Sequence, residues 1–191
     1  ERPGDLAQQG GILTKESAPI AAQETPTPTV VADCSGLEAY IDALRRIEGD
    51  YRAAFVAQLP GAPREWERPP GEFGAMTGLM EWTMWLTNAN PEEIAILASL
   101  WATYAEQLRA IEPPPIAQAF HDEAVSNTQS LADVYRDEGS MAAMAMMLMG
   151  GLGGDPSTYA LGLSEEAVRL AASCPAWAAY QGEVLATPLP S

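Results

Sequence analysis

The residues of this chain best suited to chemistry are sulfur-bearing side chains and one imidazole. All eight methionines fall into two windows, one beginning at Met76 and the other at Met141. The first window steps by four residues, a spacing that places side chains on one face of a helix. The eight residues are Met76, Met80 and Met84, followed by Met141, Met144, Met146, Met147 and Met149.

Three interpretations of the methionines stay open. Thioether sulfur is a soft ligand that suits Cu(I). Flexible, polarisable methionine surfaces also accept varied apolar ligands or partner helices. In the third interpretation, two helices pack their methionines into one adaptable core. Because no set of histidines or cysteines accompanies the thioethers, we predict no cofactor, and copper is the alternative. The candidate copper ligands are Met76, Met80, Met84, Met141, Met144 and Met147.

The two cysteines, Cys34 and Cys174, are 140 positions apart and each lies at the end of a predicted helix. We predict that they form one disulfide. Two buried free thiols or a pair of metal ligands are the alternatives. Because disulfides persist in oxidising compartments, this prediction indicates an extracytoplasmic protein that is secreted, periplasmic or tethered to the cell surface.

The remaining candidate groups do not form a catalytic constellation. His121 is the only histidine, and a di-iron Glu-x-x-His arrangement would need an acid where Gln118 stands. No Gly-x-Ser-x-Gly turn and no Cys-x-x-Cys-His haem attachment is present. We therefore predict a non-enzymatic protein in which His121 is structural and bonds a neighbouring carbonyl. Glu81 is either a buried acid–base group or a carboxylate that reaches the surface.

The charge balance excludes several partners. A formal net charge of −16 argues against nucleic acid, which needs clustered Lys and Arg, and against anionic membrane surfaces. No segment reaches the roughly 18–20 apolar residues that span a bilayer, so no transmembrane segment is predicted.

Apolar residues recur at steps of three and four from Cys34 onward, which indicates helices. The pattern predicts an all-α, up-and-down bundle of four main helices with short C-terminal helices packed across one end. Ser35-Gly36-Leu37-Glu38 matches a capping box before the first helix, and Asn90-Pro91-Glu92-Glu93 starts the third. The predicted domains are a Pro/Thr/Gln-rich tether over 1–33, the bundle over 34–186, and a C-terminal tail over 187–191.

The second predicted helix, Phe73 to Thr87, is apolar nearly all round and carries Trp82 and Trp85. A helix of this kind is either central in its bundle or covered by a partner. We therefore identify Trp82 and Trp85 as a candidate partner surface for a protein or an apolar ligand.

The tether cannot bury enough apolar area to offset the entropy of ordering it. An arm that orders against a partner is the alternative interpretation. A lipid-bearing cysteine just before Glu1 would be compatible with such a tether.

The segment Leu108-Arg109-Ala110-Ile111-Glu112-Pro113-Pro114-Pro115, followed by Phe120-His121, resembles a group of exported bacterial helical proteins. These are similar to tethered lipoproteins with Thr/Pro linkers and a helix–proline–helix core that carries a histidine. The resemblance covers about residues 90–137 and implies a bacterial envelope location but no activity.

Together these features predict an exported or cell-surface helical domain. It would bind a protein or apolar partner, or serve as a structural component of the envelope. Soft-metal binding through the methionine windows is the alternative function.

Overall fold

The computed structural model describes residues 32–67, 72–137 and 164–186, and the single positions 139, 156, 160 and 161. The chain divides into a unit of residues 1–31 and a unit of residues 32–191, and every described residue belongs to the second. The predicted tether up to residue 31, the second methionine window and the tail over 187–191 lie outside the described residues.

Six helices make up the described part of the second unit, and no strand is found there, so the predicted all-α helical bundle is confirmed. They are α1 (Leu37–Gln58), α2 (Glu72–Asn88), α3 (Pro91–Arg109), α4 (Gln118–Asp137), α5 (Glu165–Ser173) and α6 (Pro175–Ala186). The most extensive packing is between α3 and α4, α1 lies against α3, and the α5–α6 pair contacts α1 and α4.

The start of α3 follows its sequence signal. The Asn90 side chain accepts hydrogen bonds from the backbone N–H groups of Glu92 (2.9 Å) and Glu93 (3.0 Å), and the Glu93 carboxylate accepts one from the Asn90 N–H. Pro91 occupies the first helical position, where no N–H is needed. This predicted start is therefore confirmed.

The predicted capping box at the start of α1 is wrong. The N-cap is Gly36, whose φ of +78° is left-handed, and no side chain caps the helix. The Ser35 N–H instead donates to the Asp33 carboxylate at 3.0 Å, which forms a turn ahead of the helix. The helix begins one residue later than the capping box requires, because the chain turns at Gly36 in a left-handed conformation that glycine adopts without strain.

Apolar residues on α3 form the centre of the core. Trp101 packs its ring 6.1 Å from that of Tyr135 on α4, and Tyr104 meets Tyr51 on α1 edge to face at 5.9 Å. The 3-4 spacing of the buried positions on α3 explains how one helix contacts both neighbours. The large residues that α3 buries are Ile94, Leu97, Leu100, Trp101, Tyr104 and Leu108.

The disulfide between Cys34 and Cys174 joins the turn before α1 to the junction of α5 and α6, with 6.0 Å between the two Cα atoms. Beneath it, Trp177 stacks on Tyr40 at 6.2 Å and meets Phe120 edge to face at 4.8 Å. The bond thus links the start of α1 to the two C-terminal helices, next to an aromatic cluster that they share.

Breaking this disulfide should lower the stability of the bundle. By the chain-entropy estimate, a loop of 140 residues contributes about 5 kcal/mol to the free energy of unfolding. We expect reductant to lower the urea midpoint followed by far-UV circular dichroism. The variant Cys34→Ser/Cys174→Ser is the control, because its midpoint should not respond to reductant. A native midpoint that is the same with and without reductant would contradict the prediction.

Substituting alanine for Gly36 and for Gly49 should change the free energy of unfolding in opposite directions. Gly36→Ala forces a side chain into a left-handed conformation and should cost about 1–2 kcal/mol of unfolding free energy. Gly49→Ala, inside α1 with open space around its Cβ, should stabilise by about 1 kcal/mol because alanine is the better helix former. Chemical denaturation of both variants measures these changes. A change of the unfolding free energy in the same direction in both variants would contradict the prediction.

Candidate functional site

Helix α2 carries two apolar stripes that face opposite ways. One contains Trp82 and Leu86, each only 1 % exposed, and the other contains Met80 and Met84, which are 61 % and 64 % exposed. The stripes are offset by two residues, which is about 200° around a helix of 3.6 residues per turn. The two stripes explain why the helix is apolar nearly all round: one joins the core and the other lies at the surface.

An aromatic cluster fixes the orientation of α2. The Trp82 ring lies 6.1 Å from Phe55 on α1 and 5.3 Å from Trp85, and Phe55 also meets Trp66 edge to face at 5.3 Å. The prediction of a partner surface is therefore wrong for Trp82, which is buried as the anchor of the helix. Trp85 is half-buried and keeps one part of its ring at the surface.

A groove of about 410 Å³ lies beside the exposed stripe of α2. The loop that follows α1 forms one wall and the last turns of α2 form the other. The lining residues are Gly61, Ala62, Pro63, Glu81, Met84, Trp85 and Asn88. We call Met80 and this groove together the methionine face. Its walls are mostly apolar, and Glu81 is the one charged side chain among the lining residues.

The structure describes the side chains of two of the six candidate copper ligands. Met80 and Met84 are exposed, so the core interpretation is wrong for these two side chains. Met76 lies in α2, but its side chain is outside the described part, as are Met141, Met144 and Met147. Within the described residues, no group of three or more His, Cys, Asp or Glu could hold a metal ion. The copper site therefore stays a prediction.

Glu81 is exposed, so the interpretation of it as a buried acid is wrong. The buried carboxylate that the sequence analysis missed is Glu48 on α1, which forms an ion pair with Arg52. The Arg52 guanidinium lies over the Trp66 ring at 5.3 Å. The four-residue spacing of Glu48 and Arg52 indicates an ion pair on one helix face. It does not show that the pair is buried, because the same spacing is common on exposed helix faces.

His121 is buried between helices and takes a long-range partner. Its Nδ1 lies 3.1 Å from the Tyr40 hydroxyl, and the two rings are arranged edge to face. The partner is thus a side chain on α1 and not the neighbouring carbonyl that we predicted. The tautomer of the imidazole decides which of the two groups donates, because the phenolic hydroxyl can both donate and accept.

The surroundings of the Tyr40–His121 pair keep both groups neutral. Burial raises the pKa of Tyr40, and the nearby Asp122 carboxylate raises it further. Burial also lowers the pKa of His121, although Asp122 opposes that shift. Tyr40 stacks on Trp177, which also contacts Phe120, so the pair contributes to packing between α1, α4 and α6 rather than to surface chemistry.

A second groove of about 610 Å³ lies between α3 and the end of α4. Its floor consists largely of small residues, including Ala95, Ala98 and Ala102. Its one cation, Arg136, already pairs with Asp133 and Asp137. This groove therefore presents no charged group free of internal pairing to select a ligand.

Comparisons with known proteins add no relative: no family model, curated protein or solved structure matches the chain. The resemblance to exported helical proteins therefore remains a prediction. None of the helices in the described residues has the length and apolar character needed to cross a membrane.

His121 should make the stability of the bundle depend on pH. An unfolded histidine has a pKa of about 6.5, and the folded value is lower, so the unfolded state binds the proton first as the pH falls. The stabilisation is complete above about pH 6.5 and is lost below it, by up to about 1.4 kcal/mol per pH unit until the folded pKa is reached. Urea unfolding of the native chain and of His121→Asn between pH 5 and 8 measures the difference.

The control for this prediction is Tyr40→Phe. This change removes the hydroxyl but leaves the imidazole buried, so it should lower stability by about 1 kcal/mol while the pH dependence persists. Equal pH dependence in the native chain and His121→Asn would contradict the assignment.

Proposed function

We propose that this chain is a non-enzymatic, extracytoplasmic interaction domain that binds a partner protein through the methionine face of α2. The observation that carries the proposal is the exposure of Met80 and Met84 on a helix whose opposite stripe is anchored in the core. A binding surface needs this combination, because the anchor holds the contact residues in place before the partner arrives.

Contiguity distinguishes the methionine face from scattered surface residues. Single exposed apolar side chains are normal, whereas contiguous apolar patches mark interaction sites. Met84 and Trp85 line one groove, and Met80 lies one helical turn from Met84. Methionine is unbranched and polarisable, so it adapts to the shape of a partner at little cost.

The groove favours binding over catalysis. Its single titratable lining residue is Glu81, which is exposed. Acid–base catalysis relies on positioned groups with tuned pKa values, usually in pairs. The Tyr40–His121 pair is not part of this groove, because it is buried in another aromatic cluster. An apolar groove lined by a single carboxylate residue is suited to recognition.

The location outside the cytoplasm is part of the same proposal. The Cys34–Cys174 bond supports it, because structural disulfides are rare where thiols are kept reduced. The Pro/Thr-rich sequence of the predicted tether supports it as well, since such linkers hold a domain at a distance from its anchor. An envelope component that contacts its neighbours would use the same surface.

Copper binding is the second candidate function, because exposure leaves the thioethers of Met80 and Met84 accessible on one helix face. The variant Met80→Leu/Met84→Leu removes both sulfur atoms and keeps the apolar surface. If the chain is a copper protein, anaerobic titration with Cu(I) must show weaker binding to this variant than to the native chain.

We expect a photoreactive amino acid at Asn88, in the groove, to crosslink a protein of discrete mass in the cells that produce this chain. Met80→Leu/Met84→Leu should retain the adduct, whereas Met80→Ser/Met84→Ser should lose most of it, because burying two apolar side chains contributes about 3–6 kcal/mol. The control site is Val168 on α5, which is 62 % exposed and thus comparable to Met84.

Two results would count against the proposal. One is an adduct of the same mass and yield from Val168, and the other is an adduct from Asn88 that the serine variant does not reduce. Thermal unfolding of each variant checks that the substitutions leave the fold intact, as expected for exposed positions.

A further inference from the structure

We infer that Met80 and Met84 form a reversible oxidation site, at which a hydroperoxide converts both thioethers to sulfoxides and thereby weakens binding of the partner to the methionine face. This inference rests on the proposed function and names the regulation of the same surface. Its basis is the exposure of these two side chains and the burial of the other oxidisable side chains in the described residues.

The fold protects most of its oxidisable aromatic side chains. Every tyrosine that the structure describes is buried, and so is His121. Three of the five tryptophans are also buried. The other two, Trp66 and Trp85, are half-buried and each packs against another aromatic ring. The part of the chain that the structure describes therefore offers few aromatic rings to a dissolved oxidant.

The distribution of sulfur leads to the same surface. Both cysteines are joined in the Cys34–Cys174 bond, so the chain has no free thiol that could react first. Met80 and Met84, by contrast, are 61 % and 64 % exposed. Because oxidation of sulfur depends on exposure, we expect an oxidant to reach these two thioethers before any other oxidisable side chain in the described residues.

The reaction consumes one hydroperoxide molecule for each sulfur atom. The thioether sulfur attacks one peroxide oxygen, an S–O bond forms and the O–O bond breaks. The proton of the transferred oxygen moves to the leaving oxygen, which departs as water when the oxidant is hydrogen peroxide. Sulfur loses two electrons and the peroxide gains them. Methionine sulfoxide reductases reverse the step with two thiols, which become a disulfide while the oxygen leaves as water.

Oxidation at these positions changes the surface of α2 without reaching its core contacts. Met80 and Met84 lie on the exposed stripe of the helix. Trp82 and Leu86, which anchor the helix, lie on the opposite stripe. The added oxygen atoms remain in water, so the folded chain loses no buried apolar contact. The bundle therefore tolerates both oxidation states, as a reversible switch requires.

The same oxygen atoms oppose binding of an apolar partner. A sulfoxide is a polar group in place of a flexible apolar one, and burying a polar group without a hydrogen bond is unfavourable. The groove is lined mainly by apolar residues such as Ala62, Pro63 and Trp85. The amide of Asn88 already donates to the backbone oxygen of Met84 at 2.6 Å. A partner that fits the two thioethers would thus meet two poorly satisfied acceptors after oxidation.

The first measurement locates the modification. The full, disulfide-bonded chain is treated with hydrogen peroxide in native buffer and in urea, and tandem mass spectrometry gives the oxidation rate at each methionine. We expect the native rates at Met80 and Met84 to lie within about threefold of the rates in urea, because both side chains are largely exposed in the folded chain. Native rates that are more than about tenfold slower at these residues would overturn the site.

The second measurement relates oxidation to binding. The purified chain with the photoreactive residue at Asn88 is oxidised, freed of peroxide and added to an extract of the producing cells, so that only this chain is modified. We expect the adduct to decrease about tenfold and to return after treatment with methionine sulfoxide reductases and a thiol.

The matched control is Met80→Leu/Met84→Leu, which keeps the other six methionines and receives the same peroxide, reductases and thiol. Its adduct should resist oxidation, so the difference between the two chains belongs to Met80 and Met84. Oxidation should also leave the urea midpoints of the two chains equally affected. A midpoint that decreases more in the native chain would indicate a role in the core and would overturn the inference.

The remaining outcomes separate the inference from the proposed function. An adduct that persists after mass spectrometry has shown both sulfoxides overturns the switch and leaves the interaction surface intact. Equal loss of the adduct in the native chain and the leucine variant also overturns the switch, because another methionine is then responsible. No adduct from the untreated chain overturns the proposed function together with the control of binding. The rates at Met80 and Met84 still decide in that case whether the two residues are an oxidation site.

Discussion

The burial of Trp82 against Phe55 is the contact on which the candidate site depends. The sequence pattern of a helix that is apolar nearly all round does not show which face is buried. The largest side chain that packs into the core therefore determines the orientation of the helix. Once the indole enters the cluster with Phe55 and Trp85, the residues two positions away must face the opposite direction. The exposure of Met80 and Met84 is thus a consequence of core packing, and it persists only while that packing holds.

Helix α1 links this cluster to the other end of the bundle. Phe55, near its C-terminus, supports α2, while Tyr40, near its N-terminus, contacts His121 and Trp177. The Cys34–Cys174 bond closes the bundle over that second cluster. A helix held at both ends by aromatic packing is a rigid support, and rigidity under a binding surface reduces the entropy that association must overcome.

Much of the fold follows from local patterns. The predicted second helix, Phe73 to Thr87, differs from α2 by one residue at each end, and the predicted start at Asn90 is correct because all its signals are local. The capping box at Ser35 is wrong because the N-cap is Gly36, one residue further along the chain. The Tyr40–His121 contact spans 81 positions, and neither it nor the buried face of α2 has a periodic signal. The parts of the site that the sequence misses are those set by tertiary contacts.

The exposed methionines and the acidic surface have opposite effects on the association of this chain with its own copies. An apolar stripe at the surface is an aggregation hazard, and copies that each carry a net charge of −16 repel one another before their stripes can meet. The same field lowers the barrier for a partner of opposite charge. Specificity is a difference between affinities, so a surface whose copies repel one another is selective against self-association.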